Sequence, residues 1–272
     1  MEKISRREFL TAVFVGGLVG CNPERRKIIE FKPGTNLQQE LLTFADKSLK
    51  EDNEYGGAYW HKAGYTPADR ESGPAEVGFS NEYYDLMIQQ AIKDGEKEFY
   101  QIHSHSVASM ITGPELQEVR QGKMRLSPNS TPSLYRTSRF GDLAQVLRHQ
   151  IQYGQKINIK GIAIYGDYAW IYGGFNTNHP YYKQAVKYIG WHLEKDEKYF
   201  TTEQTMEEVK FKALNNELEK KLYKLCMKIT KADIKKDQPA AQAIITEICG
   251  VYRDEVGMNI GLWNIKTQQT IF

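Results

Sequence analysis

Apolar positions recur at steps of three and four or alternate at steps of two as far as Gly174, and beyond it the helical steps dominate. In "LQQELLTFADKSLK", Leu37, Leu41, Phe44, Ala45 and Leu49 fall on one stripe of a helix. "EYGGAYW" then reads as a strand, and the Gly-, Pro- and charge-rich stretch from Lys62 to Phe79 as a long loop or hairpin. "SNEYYDLMIQQAIKDG" carries a Ser or Asn cap, helical spacing and a terminal Gly, and it leads into the strand "EFYQIHSHS". From about Val107 to Ser138 the pattern is irregular and interrupted by Pro114, Pro128 and Pro132, with a short helix in "PELQEVRQ". "GDLAQVLRHQIQYG" is again a capped helix ending in Gly, and "IKGIAIYGDYAWIYGG" predicts two short strands around a "YGD" turn.

After Gly174 come three helical segments, "YYKQAVKYIGWHL", "TMEEVKFKALNNELEKKLYKLCMKIT" and "PAAQAIITEICG". Phe211, Leu214, Leu218, Leu222, Leu225 and Ile229 form a stripe expected to pack against the preceding domain. These helices are suited to cover a sheet edge, to dimerise or to present a substrate, and the stripe leaves oligomeric state open. The tail "MNIGLWNIKTQQTIF" is able to supply a last strand. The expected class is α+β: a mixed β-sheet flanked by helices over residues 37–175, with a C-terminal helical region over 176–272.

Composition narrows the functions this layout can serve. The 272 residues are 40% hydrophobic and 26% charged, with a mean hydropathy of -0.58, which excludes a multi-span membrane protein. A formal net charge of +2, with basic and acidic residues interleaved, gives no electrostatic case for nucleic acid.

The first residues have a different character. "MEKISRREFLTAVFVGGLVGC" has a basic start, an apolar stretch from Phe9 to Gly20 and small residues before a cysteine, the layout of a secretory signal. "SRREFL" resembles the twin-arginine export motif, and "LVGC" resembles the lipobox of bacterial lipoproteins. The resemblance implies a signal peptide over 1–20, a lipidated Cys21 that anchors the protein to a membrane, and a tether over 21–36. It also implies an exported, cell-envelope location. Twin-arginine export carries folded proteins and suits a cofactor loaded before export. An oxidising compartment permits a disulfide between Cys226 and Cys249, with two buried thiols as the equal alternative.

His103 and His105 carry the candidate chemistry. At positions i and i+2 of a strand two side chains share a face, roughly 6.5 to 7 Å apart along the chain. Two imidazoles so placed can converge on one zinc ion, and a catalytic zinc takes a third protein ligand and keeps one position for water. His61, His149, His179 and His192 are scattered and read as surface or core residues.

The order of elements completes the picture. A helix, a strand preceded by Glu and a Gly pair ("NEYGGAYW"), a helix, a strand ending in His-x-His, then a helix opened by Asp and a strand pair together resemble the JAMM or MPN-plus metalloproteases, over roughly residues 37–175. The resemblance implies Zn2+ as cofactor and a protein or peptide as substrate. It implies Glu54 as general base, and His103 and His105 as two ligands. In that family a Ser-x-x-Asp supplies the third ligand and a hydroxyl for the oxyanion. Two candidates stand for it here. Asp142, with Ser138 one residue further away than the motif asks, is followed by the family's helix and strands. Glu115, with Thr112, sits nearer the expected distance. Asp142 is favoured and Glu115 stays open. The implied function is zinc-dependent hydrolysis of peptide or isopeptide bonds. The alternatives are an inactive JAMM-like binding lipoprotein and a metal hydrolase of the amidohydrolase or PHP type, whose first ligand pair is also His-x-His.

Overall fold

The structure is a computed structural model that describes residues 33–70, 73, 77, 79–80, 82–107, 113–121, 131–134, 141–194, 199–231 and 238–271. The signal-peptide and lipid-anchor readings, Cys21 included, lie outside the described residues, as do Ser138 and Thr112. In chain order the elements are helix α1 (Thr35–Lys50), the hairpin β1 (Gly56–Trp60) and β2 (Gly64–Pro67), α2 (Tyr83–Lys93), β3 (Glu98–Ser104) and α3 (Pro114–Arg120). Then follow α4 (Asp142–Tyr153), β4 (Asn158–Tyr165), β5 (Tyr168–Phe175), α5 (Pro180–Glu194), α6 (Thr202–Lys231) and α7 (Gln238–Val251). A π-helical turn (Tyr252–Val256), β6 (Met258–Asn264) and β7 (Gln269–Thr270) close the described chain.

The strands form one seven-stranded mixed sheet in the order β2-β1-β3-β4-β5-β6-β7. It is open, with β2 and β7 at its edges. β3 and β4 pair in parallel, and every other neighbouring pair is antiparallel. The sheet therefore continues past Gly174, because the tail pairs with β5 through β6. The protein is thus α+β, with helices on both faces of a mixed sheet.

Strand alternation sorts the core into two faces. Along β5, Ala169 and Ile171 join Leu37, Leu41, Phe44 and Ala45 of α1 on one face, while Tyr168, Trp170 and Tyr172 join α2, α4, α5, α6 and α7 on the other. β5 is consequently buried on both faces from Tyr168 through Gly173, so it reads as a near-continuous apolar run. Phe211, Leu218, Leu222, Leu225 and Ile229 of α6 are buried in the same cluster as Phe99 and Trp170, so the helical stripe seals the sheet. Cys226 and Cys249 are free thiols, and burial pushes the first up to about 11 and the second to about 12. Among the described residues no helix is long and apolar enough to cross a membrane.

Candidate metal centre

The site forms where the ends of three elements meet, for a topological reason. Parallel strands need a crossover, and a crossover helix that packs back on its sheet starts at the carboxyl end of the first strand. The connection from β3 to β4 is such a crossover, so Asp142, the first residue of α4, arrives beside the end of β3. β1 runs antiparallel to β3 and pairs Gly56 with His103, so Glu54, two residues before β1, comes to the same end.

Backbone bonds then set the positions of these residues. Tyr55 N donates to Ser104 Oγ (2.9 Å) and Ser104 N donates to Tyr55 O (2.7 Å), which ties Glu54's neighbour to the residue between the two histidines. His105 lies just past β3, yet its N donates to Ile164 O (2.8 Å) and its carbonyl accepts from Ser48 Oγ (3.1 Å). Ser48, fully buried on α1, also accepts from Gly166 N (3.2 Å), so one hydroxyl holds both His105 and the β4–β5 turn. Glycine at 141 is required by space: a Cβ there would lie 1.8 Å from Leu134 O.

Distances within the cluster suit one ion. His103 Nε2 lies 3.3 Å from His105 Nε2 and 3.3 Å from Asp142 Oδ1, and His105 Nε2 lies 4.0 Å from Asp142 Oδ2. One ligand atom from each of the three residues lies within 4.8 Å of the others. Tetrahedral zinc with ligands at about 2.0 to 2.1 Å separates them by roughly 3.3 Å, so two of the three edges already have the required length. Glu54, 8% exposed, places Oε1 3.7 Å from His105 Nδ1. Two carboxylates and two imidazoles gathered in a largely buried site want a cation, since uncompensated buried charge is costly.

The electrostatics agree. Burial opposes ionisation of Asp142, but the facing His103 and His105 and the hydrogen bonds from His103 and the Ser133 backbone outweigh it and hold the carboxyl far below the usual range. Burial likewise opposes a charged His103, yet Asp142 and, less strongly, Glu54 raise its pKa.

Of the residues singled out by sequence, the structure brings together His103, His105, Asp142 and Glu54. Glu115 is exposed on the first turn of α3 and is not part of the cluster. The hydroxyl that meets Asp142 belongs to Ser133: Ser133 N and Oγ donate to Asp142 Oδ2 (2.8 and 2.9 Å), and Asp142 N donates to Ser133 Oγ (3.0 Å). No periodicity links residues nine apart across a loop, and only the turn-forming "TPS" marks the place.

His149 is a core histidine in a layer beneath the site. Gln101 precedes His103 by two on the same strand face, and its Nε2 lies 2.6 Å from His149 Nδ1. On the other side of the ring, Nε2 lies 3.7 Å from Asp85 Oδ1. Burial, aided by Arg148, lowers the pKa of His149 to about 3, so the contact with Asp85 is no ion pair near neutral pH.

No protein-family model, curated protein or solved structure matches this chain.

Proposed function

We propose that the chain is an exported lipoprotein, anchored through a lipidated Cys21, whose JAMM/MPN-like domain is a zinc-dependent hydrolase of peptide or isopeptide bonds in the cell envelope. The observation that carries this reading is the convergence of His103, His105 and Asp142, with the carboxylate of Glu54 beside the His105 ring. His103, His105 and Asp142 would hold the ion. Zinc held there would supply Lewis acidity, enough to bring the pKa of a water near neutral and to polarise a carbonyl.

Glu54 is the general base and then the general acid. Its carboxylate takes the proton from the attacking water and returns it to the leaving amine, a role that asks for a carboxylate held within reach of the reacting atoms. The hydrogen-bonded pairing of residues 55 and 104 fixes the backbone that carries it. Ser138 is the proposed hydroxyl donor to the oxyanion of the tetrahedral intermediate. The open sheet does not favour the amidohydrolase or PHP alternative, because those folds set their His-x-His pair on the first strand of a barrel.

The test is elemental analysis and hydrolysis of isopeptide-linked and linear peptides by the wild type and Glu54→Gln. Zinc retained near one per chain, with hydrolysis down by at least about 100-fold in Glu54→Gln, supports the reading. Folded protein that takes up no zinc when offered it removes the enzyme and leaves an envelope binding protein.

A further inference from the structure

Asp142 is not held by its own helix alone. Its Oδ2 accepts two hydrogen bonds from Ser133, and Leu143 N donates to Ser133 O (3.1 Å), so residues 131–134 form a strap across the start of α4. With Oδ2 engaged, Oδ1 is the oxygen that faces His103. The strap is held in turn by the C-terminal helices. Tyr252, fully buried, donates from its hydroxyl to Pro132 O (2.6 Å), and Leu134 N donates to Glu219 Oε1 of α6 (2.8 Å). Tyr252 opens the π-helical turn, a rare geometry that is frequent at functional sites.

We infer that the C-terminal helices form a positioning frame for the metal centre: Tyr252 and Glu219 hold the strap, and Ser133 on the strap aims the carboxylate of Asp142 at the ion. The inference rests on the metal-site reading above. Its physical basis is that a carboxylate at a helix start has several accessible rotamers, and aiming it costs conformational entropy unless a partner has already fixed it. Tyr252 and Glu219 lie outside the ligand cluster and act on it only through the strap, so they are positioning residues. The competing account makes the Ser133 bonds an ordinary helix cap, which would stabilise the fold without concern for the ion.

The two accounts separate in zinc affinity measured by competition with a chromogenic chelator on full-chain wild type, Ser133→Ala, Ser133→Thr and Tyr252→Phe, beside the melting temperature of each metal-free protein. The expected result is zinc binding about 10- to 100-fold weaker in Ser133→Ala, near wild type in Ser133→Thr, and weakened to a smaller degree in Tyr252→Phe. In the double variant the two losses should combine less than multiplicatively, because both act through one strap. Melting temperatures that fall while zinc affinity stays unchanged would overturn the inference and leave the metal site standing. Wild-type protein that takes up no zinc would remove the metal site and this inference with it. Should Ser133→Ala fail to fold, Tyr252→Phe, which removes a single oxygen, decides in the same two directions.

Discussion

The imidazole of His103 and the carboxylate of Asp142 face each other at 3.3 Å across the parallel crossover, one from the end of a strand and the other from the start of a helix. Both elements are packed into the main core, so their separation is set by the scaffold rather than by a loop. The helix start adds a favourable field, since the aligned peptide dipoles of α4 place partial positive charge at its first turn, beside an ionised Asp142.

Zinc should stabilise the folded chain by linkage. At free zinc about 100 times its Kd the gain is about 2.7 kcal/mol, seen in calorimetry as a rise in Tm that EDTA reverses. Asp142→Ala should lose this rise and Glu115→Ala should keep it. Equal behaviour of the two variants would remove Asp142 as a ligand.

His149 gives stability a pH dependence of its own. Its folded pKa is lowered to about 3 against an ordinary value near 6.5, so between these the unfolded chain binds the extra proton. The contribution is complete above about 6.5 and falls by about 1.4 kcal/mol per pH unit on acidification toward 3. Denaturant unfolding of wild type and His149→Gln across this window should give curves that converge as the pH falls. Parallel curves would mean that His149 is not held neutral.

Ser48→Ala should reach the candidate metal centre from the opposite face of the sheet. It leaves His105 O and Gly166 N without the hydroxyl they share, in a fully buried place. The cost should be about 1 to 3 kcal/mol in urea unfolding, together with weaker zinc binding. A loss of stability with unaltered zinc affinity would show that His105 is positioned by β3 and β4 alone.

Adjacent residues on α6 should behave in opposite ways. Leu222 is 3% exposed in the main core and Tyr223 is 66% exposed. Leu222→Ala should cost about 2 to 5 kcal/mol, and Tyr223→Ala no more than about 0.5. Because α6 shares its core with the sheet, unfolding should remain a single transition whether followed by fluorescence or by far-UV circular dichroism. Two separated transitions would make the C-terminal helices an independent unit.

Much of the fold was legible because it is written in local periodicity. Leu37 to Leu49 mark α1 at helical spacing, the alternation around "YGD" marks β4 and β5, and the stripe from Phe211 to Ile229 marks the buried face of α6. The hairpin partner β2 was less legible, since "GYTP" is short and half exposed at a sheet edge. The tail was ambiguous because a strand's pairing partner is not a local property.

By itself, the sequence determined which residues could act as ligands: His103 and His105 share a strand face because side chains on a strand alternate with a period of two. The sequence favoured Asp142 as the acid that joins them and left Glu115 open, and only the tertiary structure brought one of the two to the pair. Glu115 is nearer in sequence, yet Asp142 is the one in place, because a parallel crossover returns the start of its helix to the end of the strand that carries the histidines. The structure alone also brought Ser133, Glu219 and Tyr252 into one chain of hydrogen bonds behind that acid. Contacts of this kind join residues far apart in sequence, and packing, not local pattern, brings such residues together.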